Sequence, residues 1–253
     1  MYRTRDLLGL WILREIKIRY KQSVLGGAWA ILQPLSLMLI FTLVFSFFVR
    51  IDTGGLPYPI FAYTALLPWT TFATAISFGV PSLVQNMNLI TKINFPREIL
   101  PIACVCAGLV DLALGFVVFA VLLAVYHIPP TLTWLWVPLI FLIQLVLTLG
   151  VTLFAAAVNV FYRDVRFIVP LALQLWLYAT PVIYPLNAVP AWMRPWYALN
   201  PMAGIIDGYR RTLLLAQPPS AAYLVTALAV ALVLVVLAYA YFKRVEWQFA
   251  DLI

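Results

Sequence analysis

Nearly all of the charge in this chain lies outside six apolar stretches, residues 28–49, 58–80, 99–126, 135–160, 167–184 and 221–242. A helix needs about 20 apolar residues to cross a hydrocarbon core of about 30 Å. Five of the stretches reach that length, and the fifth in order, residues 167–184, is short. The expected fold is therefore all-α, a polytopic membrane protein with six transmembrane helices. Only 10% of the residues are charged and 65% are hydrophobic, with a mean hydropathy of +1.01. Soluble domains average about 25% charged residues, so a soluble globular body is excluded.

The net charge of +7 would point to nucleic acid in a soluble protein. Here its distribution is the better explanation, and no nucleic-acid partner is expected. With the N-terminus placed inside, Arg3, Arg5, Arg14, Lys17, Arg19, Lys21, Lys92, Arg97, Arg163, Arg166, Lys243 and Arg244 fall on the cytoplasmic side. Arg50, Arg194, Arg210 and Arg211 fall opposite. A bias of 12 to 4 fits the positive-inside rule with both termini cytoplasmic, and an even number of spans agrees with it. The first apolar block begins at Ala28, too late and too long for a cleaved signal peptide.

Residues 1–27 are expected at the cytoplasmic interface, with a helix over 2–22. Arg3, Arg14, Lys17 and Lys21 form one stripe of that helix, and Leu7, Trp11 and Ile18 another. Pro34 is placed to bend span 1. After Pro81, Leu83, Val84, Met87 and Ile90 recur at helical spacing with polar residues between them. This spacing predicts a short amphipathic cytoplasmic helix over 82–94, with Ser82 as its N-cap. Asp164 is placed to cap span 5. Residues 186–218 carry four prolines, with Pro219 directly after them, and two short apolar pieces, near 191–197 and 202–216. They read as an external re-entrant or surface hairpin, since irregular backbone at membrane depth needs shielding by protein or a water cavity.

Chemical motifs are sparse. None of the four lysines follows a glycine, so no phosphate loop is present and no nucleotide site is expected in the chain. Cys104 and Cys106 are spaced as a metal or redox pair, but without nearby His, Asp or further Cys they read as small buried residues. The lone His127 sits beside two prolines in a loop and reads as solvated. Asp111 is the only ionisable residue inside a span. Such a carboxylate is a functional candidate, either in a proton pathway or in a structural or dimer-interface hydrogen bond. The missing relay partners favour the second. No paired carboxylates, Ser–His arrangement or metal cluster is visible.

Four segments carry a resemblance across essentially the whole chain: 19–34 (RYKQSVLGGAWAILQP), 88–101 (NLITKINFPREILP), 159–166 (NVFYRDVR) running on to 181–185 (PVIYP), and 199–204 (LNPMAG) through Tyr209-Arg210. Together they resemble the membrane subunit of ABC-2 type polysaccharide exporters, which move lipid-linked O-antigen, teichoic acid or capsule. That resemblance implies a homodimer in the bacterial cytoplasmic (inner) membrane, with two copies of a cytoplasmic ABC ATPase. It implies a lipid-linked polysaccharide substrate, and no cofactor in this chain, since ATP and Mg would belong to the partner. Residues 82–94 correspond to the coupling helix, so Leu83, Met87, Ile90, Phe95, Arg97 and Glu98 are expected to face the ATPase. Residues 186–218 correspond to external gate helices, and spans 1 and 5 to the flanks of a lateral opening.

Aromatic side chains offer a flat apolar face to sugar C–H groups and, in Tyr and Trp, a polar tip. Trp29, Tyr58, Tyr63, Trp69, Trp176, Tyr178 and Tyr184 are therefore candidate pathway residues. Membrane interfaces attract Trp and Tyr in any case. An anionic pyrophosphate needs Arg or Lys, which nominates Arg19, Lys21, Arg163 and Arg166, with charge-driven retention as the competing reason for them. Arg210 and Arg211 lie outside, where the charge rule gives no reason for them, and are expected to act in gating or headgroup contact. Three other readings stay open: an ABC-2 permease for a small amphiphile or drug, an ion-coupled secondary transporter dependent on Asp111, and a membrane transferase acting on polyprenyl phosphates. The absent acid/base constellation disfavours the last.

Overall fold

The computed structural model describes residues 2–21, 26–92 and 95–250. Residues 22–25 of the first motif and residues 93–94 at the end of the expected 82–94 helix lie outside them. Among the described residues the fold is all-helical. Five helical stretches are long and apolar enough to cross a membrane: Gly26–Phe48, Tyr58–Gly79, Ile99–Val125, Leu132–Phe161 and Ala221–Phe249. They coincide with five of the six expected spans.

The expected fifth span is the exception. Its helix, α8, runs only over Val165–Tyr178, 14 residues, which at 1.5 Å per residue covers about 21 Å. Pro181 and Pro185 are the reason. Each lacks an N–H, clashes with the helix turn before it, and drives its preceding residue out of the α region. The chain turns at once instead, with the Val182 N–H donating to the Thr180 carbonyl at 2.7 Å. Two further helices follow, α9 (Arg194–Leu199) and α10 (Pro201–Leu213), close to the two apolar pieces expected there.

The other elements are α1 (Tyr2–Tyr20), α2 (Trp29–Thr42, continued by a π-helical Leu43–Phe48), α3 (Tyr58–Gly79), α4 (Ser82–Gln85), α5 (Met87–Ile90), α6 (Ile99–Val125), α7 (Val137–Phe161) and α11 (Ala221–Val245). The most aromatic helix, α3, is the central one. Of its apolar window 78% is buried, against 11% for the first span and 22% for the third and last. Ile60, Tyr63, Leu66, Phe72 and Ile76 have no exposed surface. The outer helices turn Leu39, Phe47, Val117, Val121, Val233 and Leu237 outward, surface that in a membrane meets lipid or another protein rather than water.

Small residues set the closest approaches, as expected where lipid removes the hydrophobic drive between helices. A Cβ on Gly150 of α7 would stand 3.0 Å from the Val235 backbone of α11, and one on Gly204 of α10 would stand 2.5 Å from the Tyr223 carbonyl oxygen. A second cluster closes the α1 end of the bundle, where Leu83, Ile90, Leu153, Phe242 and Phe249 pack together.

Candidate functional site

Two polar clusters flank α3, one toward each end. At its C-terminal end α1 lies against α6, and the Arg19 guanidinium and the Tyr20 hydroxyl both donate to the Asp111 carboxylate. Arg19 stacks 4.4 Å from the Phe78 ring centroid, and its Nη2 reaches the Cys104 carbonyl at 3.5 Å. The Arg19 and Asp111 side chains are only 8% and 14% exposed. Burial and the Asp111 hydrogen bond push the Tyr20 pKa up to about 12. A cavity of about 210 Å³ adjoins the cluster, lined among others by Gln33, Thr70 and Thr74. Asp111 thus makes a structural contact within one chain. Its partners were missed because they lie 91 and 92 residues away in sequence. Arg19, a candidate for pyrophosphate contact, is committed to Asp111 instead, while Lys21, Arg163 and Arg166 are exposed.

The stripe expected on α1 is also revised. Trp11 faces inward and stacks on Phe95 at 6.4 Å. Ile18 lies on the opposite, exposed face with Leu10, Leu13, Arg14, Lys17 and Lys21.

The expected 82–94 helix is two single turns broken at Asn86, whose backbone leaves the helical region (φ −110, ψ 24). Ser82 does not cap it; its hydroxyl donates to the Gly79 carbonyl at 2.6 Å. Leu83 and Ile90 are buried in the protein's own second cluster, so they have no surface to offer another protein. Met87 and Phe95 are half-buried, and the outward residues are Gln85, Asn88, Thr91, Lys92 and Pro96. The reason is general: an amphipathic segment attached to an apolar body turns its apolar stripe onto that body. Arg97 and Glu98 sit behind, with Glu98 paired to Lys243 of α11 at 2.8 Å. Asp164 occupies the N-cap position of α8 but makes no side-chain cap bond.

At the N-terminal end of α3, Arg210 is buried rather than exposed. Its guanidinium lies 3.6 Å over the Phe61 ring and donates to the carbonyls of Phe61, Pro181, Val182 and Tyr184. The proline-broken segment leaves the carbonyls of Pro181, Val182 and Tyr184 outside any helix ladder, and one arginine gathers all three. Arg210 therefore holds the turn that ends α8. Arg211 is half-exposed and donates to the Pro218 carbonyl at 3.0 Å.

Asn200 completes this end and was not singled out from sequence. Its Oδ1 accepts from Met202 N at 3.1 Å and from Trp176 Nε1 at 3.0 Å, and its Nδ2 donates to Thr180 Oγ1 at 2.9 Å. An Asn followed by Pro201 at the first helical position is a recognisable start signal. Tyr184 and Tyr197 share a hydrogen bond of 2.7 Å.

The seven aromatic candidates divide. Tyr58, Tyr63 and Trp69 are buried. Tyr58 donates to the Ile183 carbonyl at 2.8 Å and Tyr63 to the Gly115 carbonyl at 3.0 Å, while Trp69 packs edge-on to Trp176 at 6.3 Å. Side chains enclosed in this way serve packing and leave no face for a pathway. Trp29 and Tyr178 are each 56% exposed, and Trp176 and Tyr184 are half-buried.

The fold is that of a multi-pass integral membrane protein, built around helices long and apolar enough to cross a bilayer. Its sequence relationships name the class more narrowly. The chain belongs to the ABC-2 type transporter family, whose sequence model matches residues 7–214. It is 34% identical over 253 residues to the O-antigen export system permease protein RfbA of Myxococcus xanthus, covering 99% of this chain and 96% of that one. It is 29% identical to the protein of the same name from Klebsiella pneumoniae, over 98% and 95% of the two chains. The polysialic acid transport protein KpsM of Escherichia coli matches at 22% identity, over 77% of this chain and 76% of its own.

Proposed function

We propose that this chain is the membrane-spanning permease of an ATP-driven exporter that moves polyprenyl-pyrophosphate-linked, O-antigen-like polysaccharide across the bacterial cytoplasmic membrane. One observation carries the reading: the end-to-end similarity, at 34% identity, to a protein named as an O-antigen export permease. The energy comes from a separate ABC ATPase, since the chain holds no phosphate loop. Two permeases and two ATPases form the working unit, and both termini lie in the cytoplasm, in keeping with the distribution of Lys and Arg.

On this reading α4 and α5 meet the ATPase through Gln85, Asn88 and Lys92. Their buried side, Leu83 and Ile90, passes motion to α7 and α11 through the shared apolar cluster. The Glu98–Lys243 pair ties the same segment to α11. ATP binding closes the ATPases and shifts the permease between closed and open populations. At the other end, α9 and α10 act as gate helices, hinged to α8 through Asn200 and Arg210. Of the basic candidates, Lys21, Arg163 and Arg166 remain available to a pyrophosphate.

The test is a strain lacking this chain but keeping the ATPase and the glycan synthesis enzymes. Surface polysaccharide should vanish, lipid-linked polymer should accumulate on the cytoplasmic side, and the intact gene should reverse both. Normal surface polymer in that strain refutes the proposal, as does unaided cargo movement by the purified chain in nanodiscs.

A further inference from the structure

A cavity of about 250 Å³ opens at the α10 end of the protein, between residues 53–56, the segment 181–187 and α10. Its size lies below the roughly 300–1,000 Å³ of pockets for drug-sized ligands, which suits a single small ring. Its polar groups are Thr53, Asn187, Asp207, Arg210 and Arg211. Asp207 is half-buried, yet among the described residues its carboxylate accepts no hydrogen bond and forms no direct ion pair; only the longer-range fields of Arg211 and Arg210 act on it. Arg211 uses Nε on Pro218, and its two terminal nitrogens donate to no described group. Arg210 is spent on four carbonyls and fixes the wall instead of offering donors.

We propose that this cavity binds one neutral, hydroxyl-rich sugar unit of the exported glycan, with Asp207 accepting from its hydroxyls and Arg211 donating to them. The inference rests on the export reading and on its assignment of α10 to the external side. The chemistry selects the ligand class. Asp207 needs donors and Arg211 needs acceptors, a few ångströms apart on successive turns of one helix. A hydroxyl is both donor and acceptor, and hydrogen bonds to charged groups are the stronger kind. An anion satisfies Arg211 but sets a second negative charge against Asp207. A cation satisfies Asp207 but meets two guanidinium groups. A neutral polyol satisfies both partners at no charge cost. The wall needs little ordering on binding, because Arg210 already holds the 181–184 turn, and rigid sites lose less on association.

The experiment is saturation-transfer NMR on the full chain with its ATPase in nanodiscs. The probes are methyl α-D-mannopyranoside and methyl α-D-glucopyranoside, with glucuronate as the acidic control. Transfer to at least one neutral glycoside is expected, with less to glucuronate. Asp207→Asn should reduce the transfer at least fivefold. Asn187→Trp, at an exposed position on the rim, should do the same by filling the mouth without touching the core. No transfer to either neutral glycoside, transfer to glucuronate equal to or above the neutral probes, or transfer unchanged in both variants overturns the proposal. Surface polysaccharide in the wild-type strain separates the two readings. If it depends on this chain while transfer is absent, the sugar site alone fails; if it does not depend on this chain, the export reading fails whatever the transfer.

Discussion

Replacing Asp111 by Ala should unlatch α1 from the bundle. The change leaves the Arg19 guanidinium, 8% exposed, with the Cys104 carbonyl and the Phe78 ring face as its remaining contacts. Removing one partner of a buried ion pair costs about 3–5 kcal/mol, because the other charge stays buried. The adjoining cavity of about 210 Å³ is lined in part by Gln33, Thr70, Thr71 and Thr74 and is roomy enough for water, which places the cost at the lower end, about 3 kcal/mol. That is a roughly hundredfold rise in the population with α1 detached. Asp111→Asn should cost less, since the amide oxygen still accepts from Tyr20. The double variant Arg19→Met, Asp111→Leu should recover most of the loss, because no charge is left uncompensated. Amide hydrogen exchange along α1 in nanodiscs reads this directly. Protection at residues 16–20 should fall about a hundredfold in Asp111→Ala and by no more than about tenfold in the double variant. If the single variant changes protection less than threefold, or the two substitutions prove additive, the pair does not hold α1 and the reasoning fails.

Arg210→Met should be among the most destabilising substitutions, about 3 kcal/mol or more, because it strips donors from four carbonyls; a thermal unfolding shift within experimental scatter would contradict this. Asn200→Ala loses an N-cap worth about 1 kcal/mol and the link to Trp176, so proteolysis between α8 and α10 should accelerate, whereas Asn200→Asp should keep the cap and recover part of the loss. Gly150→Leu drives a side chain into the Val235 backbone and should cost at least 1–3 kcal/mol, read as weakened cross-linking between α7 and α11. Lys92→Glu, on the outward face of the 82–92 segment, should leave unfolding unchanged while lowering co-purification of the ATPase, and undiminished co-purification would move the docking surface elsewhere.

The positions of the membrane spans were legible because the signal is one-dimensional. Water and lipid impose opposite solvation on charged side chains, and that contrast writes itself along the chain as blocks. The start of α10 is an equally local signal, in Asn200-Pro201. The candidate contacts were different in kind. Asp111 looked unpartnered since Arg19 and Tyr20 stand on another helix. The 82–94 segment showed an apolar stripe, but periodicity does not say which body the stripe packs against, and Leu83 and Ile90 turned onto their own chain.

By itself, then, the sequence determined that this protein is helical, lives in a membrane, belongs to its family, and has a fifth apolar stretch shorter than the rest. Tertiary structure alone decided which aromatic residues are core, with Tyr63 and Trp69 enclosed and Trp29 and Tyr178 outside, and which charges are spent internally. Every span is apolar on all sides, so hydrophobicity cannot distinguish the face that meets lipid from the face that meets a neighbouring helix. That choice is made by close packing at residues such as Gly150 and Gly204, and by hydrogen bonds such as those of Asp111 and Arg210, whose partners meet only once the helices have assembled.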